Sequence, residues 1–160
     1  MKDPQLAQGI RELLEAQRIA SLGTLHAGEP YVSMVPFAIP PGAIDFIIHV
    51  SALAAHTKDM LADSRVSLLV MAPPSAEISP QALARLTIQG DATQQSPSSG
   101  RHDAMKQAYL SRFPQSAQTF ELADFSLFAI RPRSIRFVGG FAQAKTLTPE
   151  GLAEILGAAL

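Results

Sequence analysis

Cysteine is absent from the 160 residues, which removes disulfides, thiolate nucleophiles, iron–sulfur clusters and Cys-ligated zinc from consideration. Charge is scarce as well: Asp, Glu, Lys and Arg make up 17% of the chain, against about a quarter in an ordinary globular protein. Sparse charge on a small domain predicts that part of the surface is covered, most simply by a second copy of the chain. A quiet, apolar surface is the plainer reading. The formal net charge of −1 leaves no electrostatic footprint for nucleic acid or an anionic membrane. No apolar run approaches the roughly 18 residues that span a bilayer. Met1-Lys2-Asp3-Pro4 leads into a polar-faced helix and not into an apolar signal core. The expectation is one soluble, cytoplasmic domain.

Catalytic signatures are also missing. The four histidines, His26, His49, His56 and His102, form no H-x-H or H-E-x-x-H spacing, so no metal site is predicted. His26 beside a turn and His102 on an exposed-looking helix read as surface residues, and His49 in an apolar strand as a hydrogen-bonded structural histidine. Asp45, Asp59, Asp63 and Asp124 are scattered, without a nucleophile elbow or a Ser-x-x-Lys pattern. Hydrolysis has no positive case.

What is present is a run of short apolar segments. Leu6, Ile10, Leu13, Leu14 and Gln17 recur at helical spacing after Pro4. Ile19 to His26 and Tyr31 to Ile39 flank the turn Ala27-Gly28-Glu29-Pro30 and predict a hairpin. Ile44 to Val50 and Arg65 to Ala72 have strand length. Ala84 to Thr93 alternates Leu86, Ile88 and Gly90 against Thr87, Gln89 and Asp91 as a half-buried strand does. A helix is expected from Arg101 to Phe113. Two further strands, Phe125 to Ile130 and Ser134 to Val138, are expected on either side of a turn at Pro132. Thr148-Pro149-Glu150 opens a last helix with an N-cap, a proline at the first position and an acid in the first turn. The links are too short for parallel crossovers, so the pattern predicts an antiparallel barrel or sandwich with peripheral helices.

Chemistry concentrates in Ser51 to Lys58 (SALAAHTK), where a strand gives way to a helix with Leu53, Thr57, Met60 and Leu61 on one face. Ser51, His56, Thr57 and Lys58 bring hydroxyls, an imidazole and an ammonium to a helix start, the composition of a phosphate cradle. A capped helix with solvated polar residues has the same composition. In Tyr31 to Phe37 (YVSMVPF), Pro36 cannot donate to a ladder, so it marks a sheet edge or a place where a ligand replaces pairing. Gly139-Gly140 permits close backbone approach but is not a dinucleotide fingerprint.

In order and spacing, RIASLGTL, GEPYVSMVPF, SALAAHTKDMLADSRVSLLV, ARLTIQGDAT, YLSRFP and FSLFAIRPRSIRFVGGFAQA resemble the pyridoxamine-phosphate-oxidase-like superfamily of FMN-binding split barrels. Within it the likeness is to the branch holding haem-utilisation proteins of the HugZ type. The resemblance implies a mainly β fold, an antiparallel split β-barrel over residues 18–144, with an N-terminal helix at 3–17 and a C-terminal helix at 148–159 of a single domain. It implies a homodimer with FMN at the interface. Ser33, Met34 and Val35 would run beside the flavin ring, Ser51, His56, Thr57 and Lys58 would hold its phosphate, and Arg85 and Gln89 would reach a flavin across the interface. Arg65 would have a structural role or a phosphate contact. Two departures stand out: Asp59 where the family often has Asn, and Gly140-Phe141-Ala142 where Gly-Phe-Gly is common. The chain is also expected to lack the extra C-terminal domain of many HugZ-like proteins and the Arg-and-His-bearing tail of true pyridoxamine phosphate oxidases.

The function implied is an FMN-dependent oxidoreductase acting on a small molecule, in which the flavin carries electrons or hydride and the protein binds and orients it. Its class alternative is a haem- or small-ligand-binding protein without turnover, with His49 or His56 as axial ligand. A purely structural dimer is the third possibility.

Overall fold

The computed structural model describes residues 3–140 and 143–160. The chain opens with helix α1, Pro4–Ala16, started by Asp3, whose side chain accepts from the Leu6 amide at 3.1 Å. Its apolar stripe, Ala7, Ile10, Leu13 and Leu14, is buried as the spacing predicts. Strands β1 (Ile19–His26) and β2 (Glu29–Pro36) form the expected hairpin, in register from Ile19 opposite Pro36 to His26 opposite Glu29. Its two-residue turn places Ala27 at φ 50° and Gly28 at φ 81°, the left-handed pair whose twist matches that of the strands.

Strand β3 (Phe46–Ser51), helix α2 (Ala55–Ala62), β4 (Arg65–Met71) and β5 (Arg85–Gln94) follow. Helix α3 is His102–Arg112, β6 is Phe125–Gly140, β7 is Gln143–Leu147 and α4 is Pro149–Leu156. All strand pairs are antiparallel, in the order β2-β1-β4-β5-β6-β3, with β7 added to β6. An isolated bridge between Ala38 and Ile47, with amide-to-carbonyl distances of 3.0 and 2.7 Å, joins the chain after β2 to β3 and closes the ring. This is the split barrel that the resemblance implies.

Three expectations change. The turn at Pro132 is absent: β6 runs unbroken for 16 residues. The ladder shifts register where Gln89 and Gly90 pass Ser134 and Pro132, so proline's missing N–H falls at a bulge and costs no regular ladder bond. Gly90 is needed there, because a Cβ at that position would lie 2.4 Å from the Arg131 carbonyl oxygen. The helix expected from Ser51 begins only at Ala55, and Leu53 and Leu61 stand in solvent while Thr57 and Met60 are buried. Strand β7 had no strong signal, since four of its five residues are exposed. Phe141 and Ala142, and with them the expected Gly-Phe-Ala departure, lie outside the described residues.

The core fills the barrel with Leu22, Phe37, Phe46, Ile48, Leu68, Leu86, Ile88 and Phe128, and α1 and α4 pack against it. A smaller cluster, Ile47, Met105, Tyr109, Phe113 and Leu127, lies between α3 and the outer side of β3 and β6. Alternation along β3 divides its side chains between the two: Phe46, Ile48 and Val50 face the barrel, and Ile47 faces α3.

Candidate functional site

Helix α2 covers one end of the barrel, and polar side chains meet beneath it. Strand β1 points Ala20, Leu22 and then Thr24 inward, so the last inward position carries a hydroxyl where the core ends. Thr24 donates to Asp59 Oδ2 at 2.8 Å, and His26 Nδ1 lies 2.7 Å from Asp59 Oδ1. Burial pushes the Asp59 carboxyl up, but the hydrogen bonds from Thr24 and His26 and the charge of the His26 and His56 rings outweigh it, so its pKa lies below the usual value. An ionised carboxylate only accepts. His26 Nδ1 therefore carries a proton, and in the neutral ring Nε2 holds a lone pair. Asp59 is 4% exposed, whereas the His26 side chain is 58% exposed and lies beside the Tyr31 ring, with centroids 5.5 Å apart.

One turn along the same helix, His56 Nδ1 lies 2.9 Å from Ser33 Oγ on β2. Burial lowers the His56 pKa, and the Asp59 carboxylate partly offsets this. Thr57 is buried, and its hydroxyl oxygen has no hydrogen-bond partner. Lys58 is exposed. Helix α2 starts without a side-chain cap at Ala54.

The outer face of the sheet next to this cluster is a trough of about 330 Å³, formed where Gly23 supplies no side chain and lined by Tyr31, Val32, Arg65, Ser67, Gln89 and Arg133. Arg65 is held by Asp63 at 2.6 Å and Arg133 by Asp91 at 2.7 Å. The hydrogen bonds from Arg65 hold the Asp63 carboxyl down at about 2. Val32 (70% exposed) lines the trough, and along the same outer face away from it the strands present exposed Met34, then Ile19 and Met71.

The expected site residues therefore separate into groups. Ser33 and His56 meet, with Thr57 underneath and Lys58 at the surface. Gln89 lines the trough and Met34 is exposed near it, while the Val35 side chain is in the barrel core, which leaves only its backbone for a ligand. Arg85 is turned to the carbonyls of Gln81 and Leu83 at 3.1 and 3.0 Å. Ser51 is drawn elsewhere, donating to Asp124 Oδ2 at 2.6 Å and accepting from the Leu53 amide. Sequence reasoning missed the Thr24–Asp59–His26 network. The surface position expected for His26 holds, but its partner was not foreseen, and Asp59 stood out only as a departure from the family's usual Asn. The one local signal was a threonine on the buried face of β1.

Among the described residues no helix is long and apolar enough to cross a membrane, and no group of three or more His, Asp or Glu is placed to hold a metal ion.

The family model for pyridoxamine 5'-phosphate oxidase matches residues 6–139. The chain is 36% identical over 138 residues to the non-canonical haem oxygenase HOZ, chloroplastic, of Arabidopsis thaliana, covering 84% of this chain and 40% of that protein. A haem-binding protein from Mycobacterium smegmatis superposes with a TM-score of 0.83 at 29% identity, covering 96% of this chain and 62% of that one. The chain thus spans less than two thirds of either relative. The haem storage protein HutZ from Vibrio cholerae, at 24% identity and a TM-score of 0.72 over 80% of this chain and 90% of its own, shares the fold. The likeness to haem-utilisation proteins read from the sequence is met by these relatives.

Proposed function

This chain belongs to the pyridoxamine 5'-phosphate oxidase family, and on that premise we propose that it is a haem-binding protein. His26 would be the axial ligand, at the tip of the β1–β2 hairpin beside Tyr31, and a second copy of the chain would cover the exposed apolar face. The observation that carries the reading is the His26–Asp59 pair. A largely exposed histidine whose Nδ1 proton is held by a buried carboxylate, which leaves Nε2 its lone pair, is how proteins orient an imidazole toward a metal and raise its basicity. Buried Asp59 fixes the ring orientation, Thr24 fixes Asp59, and Tyr31 borders the imidazole. Exposed Val32, Met34 and Ile19, on the outward face of the hairpin, offer apolar surface to the covering copy. Haem, when bound, supplies a redox-active iron that can bind a diatomic gas. The names of the Arabidopsis and mycobacterial relatives support the same ligand.

A second reading, FMN, is favoured by a different observation: the partnerless Thr57 hydroxyl beneath the uncapped start of α2. A phosphate there would find the first free amides of the helix, with Ser33, His56 and Lys58 around it, and the bound flavin would supply hydride and electron chemistry.

The test is titration of the purified protein with hemin and, separately, with FMN. Saturable growth of a Soret band, lost or shifted in His26→Ala, is expected. A Soret band unchanged in His26→Ala removes His26 as ligand. Uptake of FMN with no response to hemin replaces the first reading by the second.

A further inference from the structure

The cavity under α3 is used by neither reading. It holds about 650 Å³, in the range of small-molecule sites, and lies between the ends of β3, β5 and β6 and helix α3. Its lining includes His49, His102 and Lys106 with the side chains of Gln94, Ser126 and Phe125. Its charged lining is of one sign: among the described residues no Asp or Glu faces it. Asp103, next to His102, has its side chain 95% exposed.

His49 is 8% exposed, and its surroundings define its tautomer. The Thr119 hydroxyl has one proton, and it goes to the Ser116 carbonyl at 2.7 Å. Thr119 Oγ1 therefore accepts from His49 Nδ1, 3.3 Å away, and Nε2 carries the lone pair. Phe120 stacks on the imidazole at 3.7 Å and 7°, and Lys106 stands over the Phe120 ring at 5.2 Å. Burial, then the positive fields of His102 and Lys106, push His49 down to about 4, so the ring is neutral and cannot donate from Nε2. No protein donor to that nitrogen is found among the described residues. An acceptor nitrogen on a ring that is itself nine-tenths buried thus lines a cavity whose charged groups are cations and whose walls include Phe125, Leu127 and Pro97.

We propose that this cavity is a second, separate binding site for a small organic carboxylate with an apolar body and one O–H or N–H group. The carboxylate would be held by Lys106 and His102, the donor would meet His49 Nε2, and Gln94 and Ser126 would take the remaining polar edges. This chemistry is complementary at each end: an anion for the cations and a proton donor for the bare nitrogen. The relation to haem or flavin is one of independence, because His26 and His56 are held under α2 by Asp59 and Ser33, whereas His49 faces away from the barrel interior toward α3.

The probe is 4-hydroxybenzoate, followed by the ring resonances of the four histidines in ¹H–¹³C spectra, with benzoate (no donor) and methyl 4-hydroxybenzoate (no charge) as controls. Saturable shifts of His49 and His102 with a sub-millimolar Kd are expected, while His26 and His56 stay still. Both controls should bind at least tenfold more weakly, and Lys106→Met, a change at a partly exposed helix position, should do the same. Absence of saturation up to 10 mM, shifts confined to His26 and His56, or equal binding by Lys106→Met overturns the proposal.

Discussion

The two sides of the barrel wall hold histidine in opposite ways. Under α2, His26 and His56 are fixed by oxygen: a buried, ionised Asp59 and the Ser33 hydroxyl. Under α3, His49 is fixed by rings, with Phe120 stacked on it, Tyr109 edge-on at 5.8 Å and Phe125 tilted against it at 5.2 Å. A carboxylate beside an imidazole stabilises its protonated or metal-bound form, whereas aromatic burial beside other cations keeps it neutral. One residue type is thus held as a basic imidazole on one side and as a neutral hydrogen-bond acceptor on the other, and the neighbours decide which.

The largest break in this contrast comes from Asp59. Asp59→Ala leaves Thr24 and His26 without their acceptor under α2 and should lower stability by about 2–4 kcal/mol, read as a lower denaturant midpoint at an unchanged m-value. Asp59→Asn, which keeps an acceptor oxygen, should lose less. If the two variants are equally stable, the network is not what holds α2.

His49 sharpens the contrast through pH. Its folded pKa of about 4 lies below the unfolded value near 6.5, so the unfolded chain binds the proton first. The stability it contributes is fully present above about pH 6.5 and is lost as pH falls toward about 4. His49→Phe keeps an aromatic ring against Phe120 and removes the titration. Unfolding midpoints compared at pH 7 and pH 4.5 should show a drop smaller by on the order of 1–2 kcal/mol in the variant. An identical drop would mean that His49 is hydrated in the folded protein.

The smallest effect belongs to Thr57. Replacing a buried, partnerless hydroxyl by a methyl group of the same shape removes a desolvation cost, so Thr57→Val should stabilise the free protein by about 0.5–1 kcal/mol. The same change should weaken FMN where the second reading holds, and leave hemin binding untouched.

Helix α4 was legible in the sequence down to its cap. Thr148 accepts from the Gly151 amide at 3.2 Å, and Pro149 and Glu150 take the first-turn positions. Strand β5 was legible because its alternation is local. The signals that failed were long-range. Pro132 reads as a break until it is seen opposite Gly90 at a bulge, more than forty positions away in the chain. His26 and Asp59 are 33 residues apart, and nothing near either announces the other. His102 reads as a surface residue on a polar helix, yet its side chain is 15% exposed and borders a cavity whose other walls come from β3, β5 and β6. Pattern reveals which way a residue faces, and only closure of the barrel reveals what it faces.

That closure rests on very little. Between β2 and β3 the ring is completed by the paired amides and carbonyls of Ala38 and Ile47, while every other junction is a multi-residue ladder. A cylinder with one thin joint breathes there first, because local opening follows the fewest bonds. The amide protons of Ala38 and Ile47 should exchange with solvent ahead of their neighbours on β5 and β6. Each such opening would loosen β2, the strand that carries Tyr31 and Ser33, so the hairpin that bears His26 can move without the whole protein unfolding.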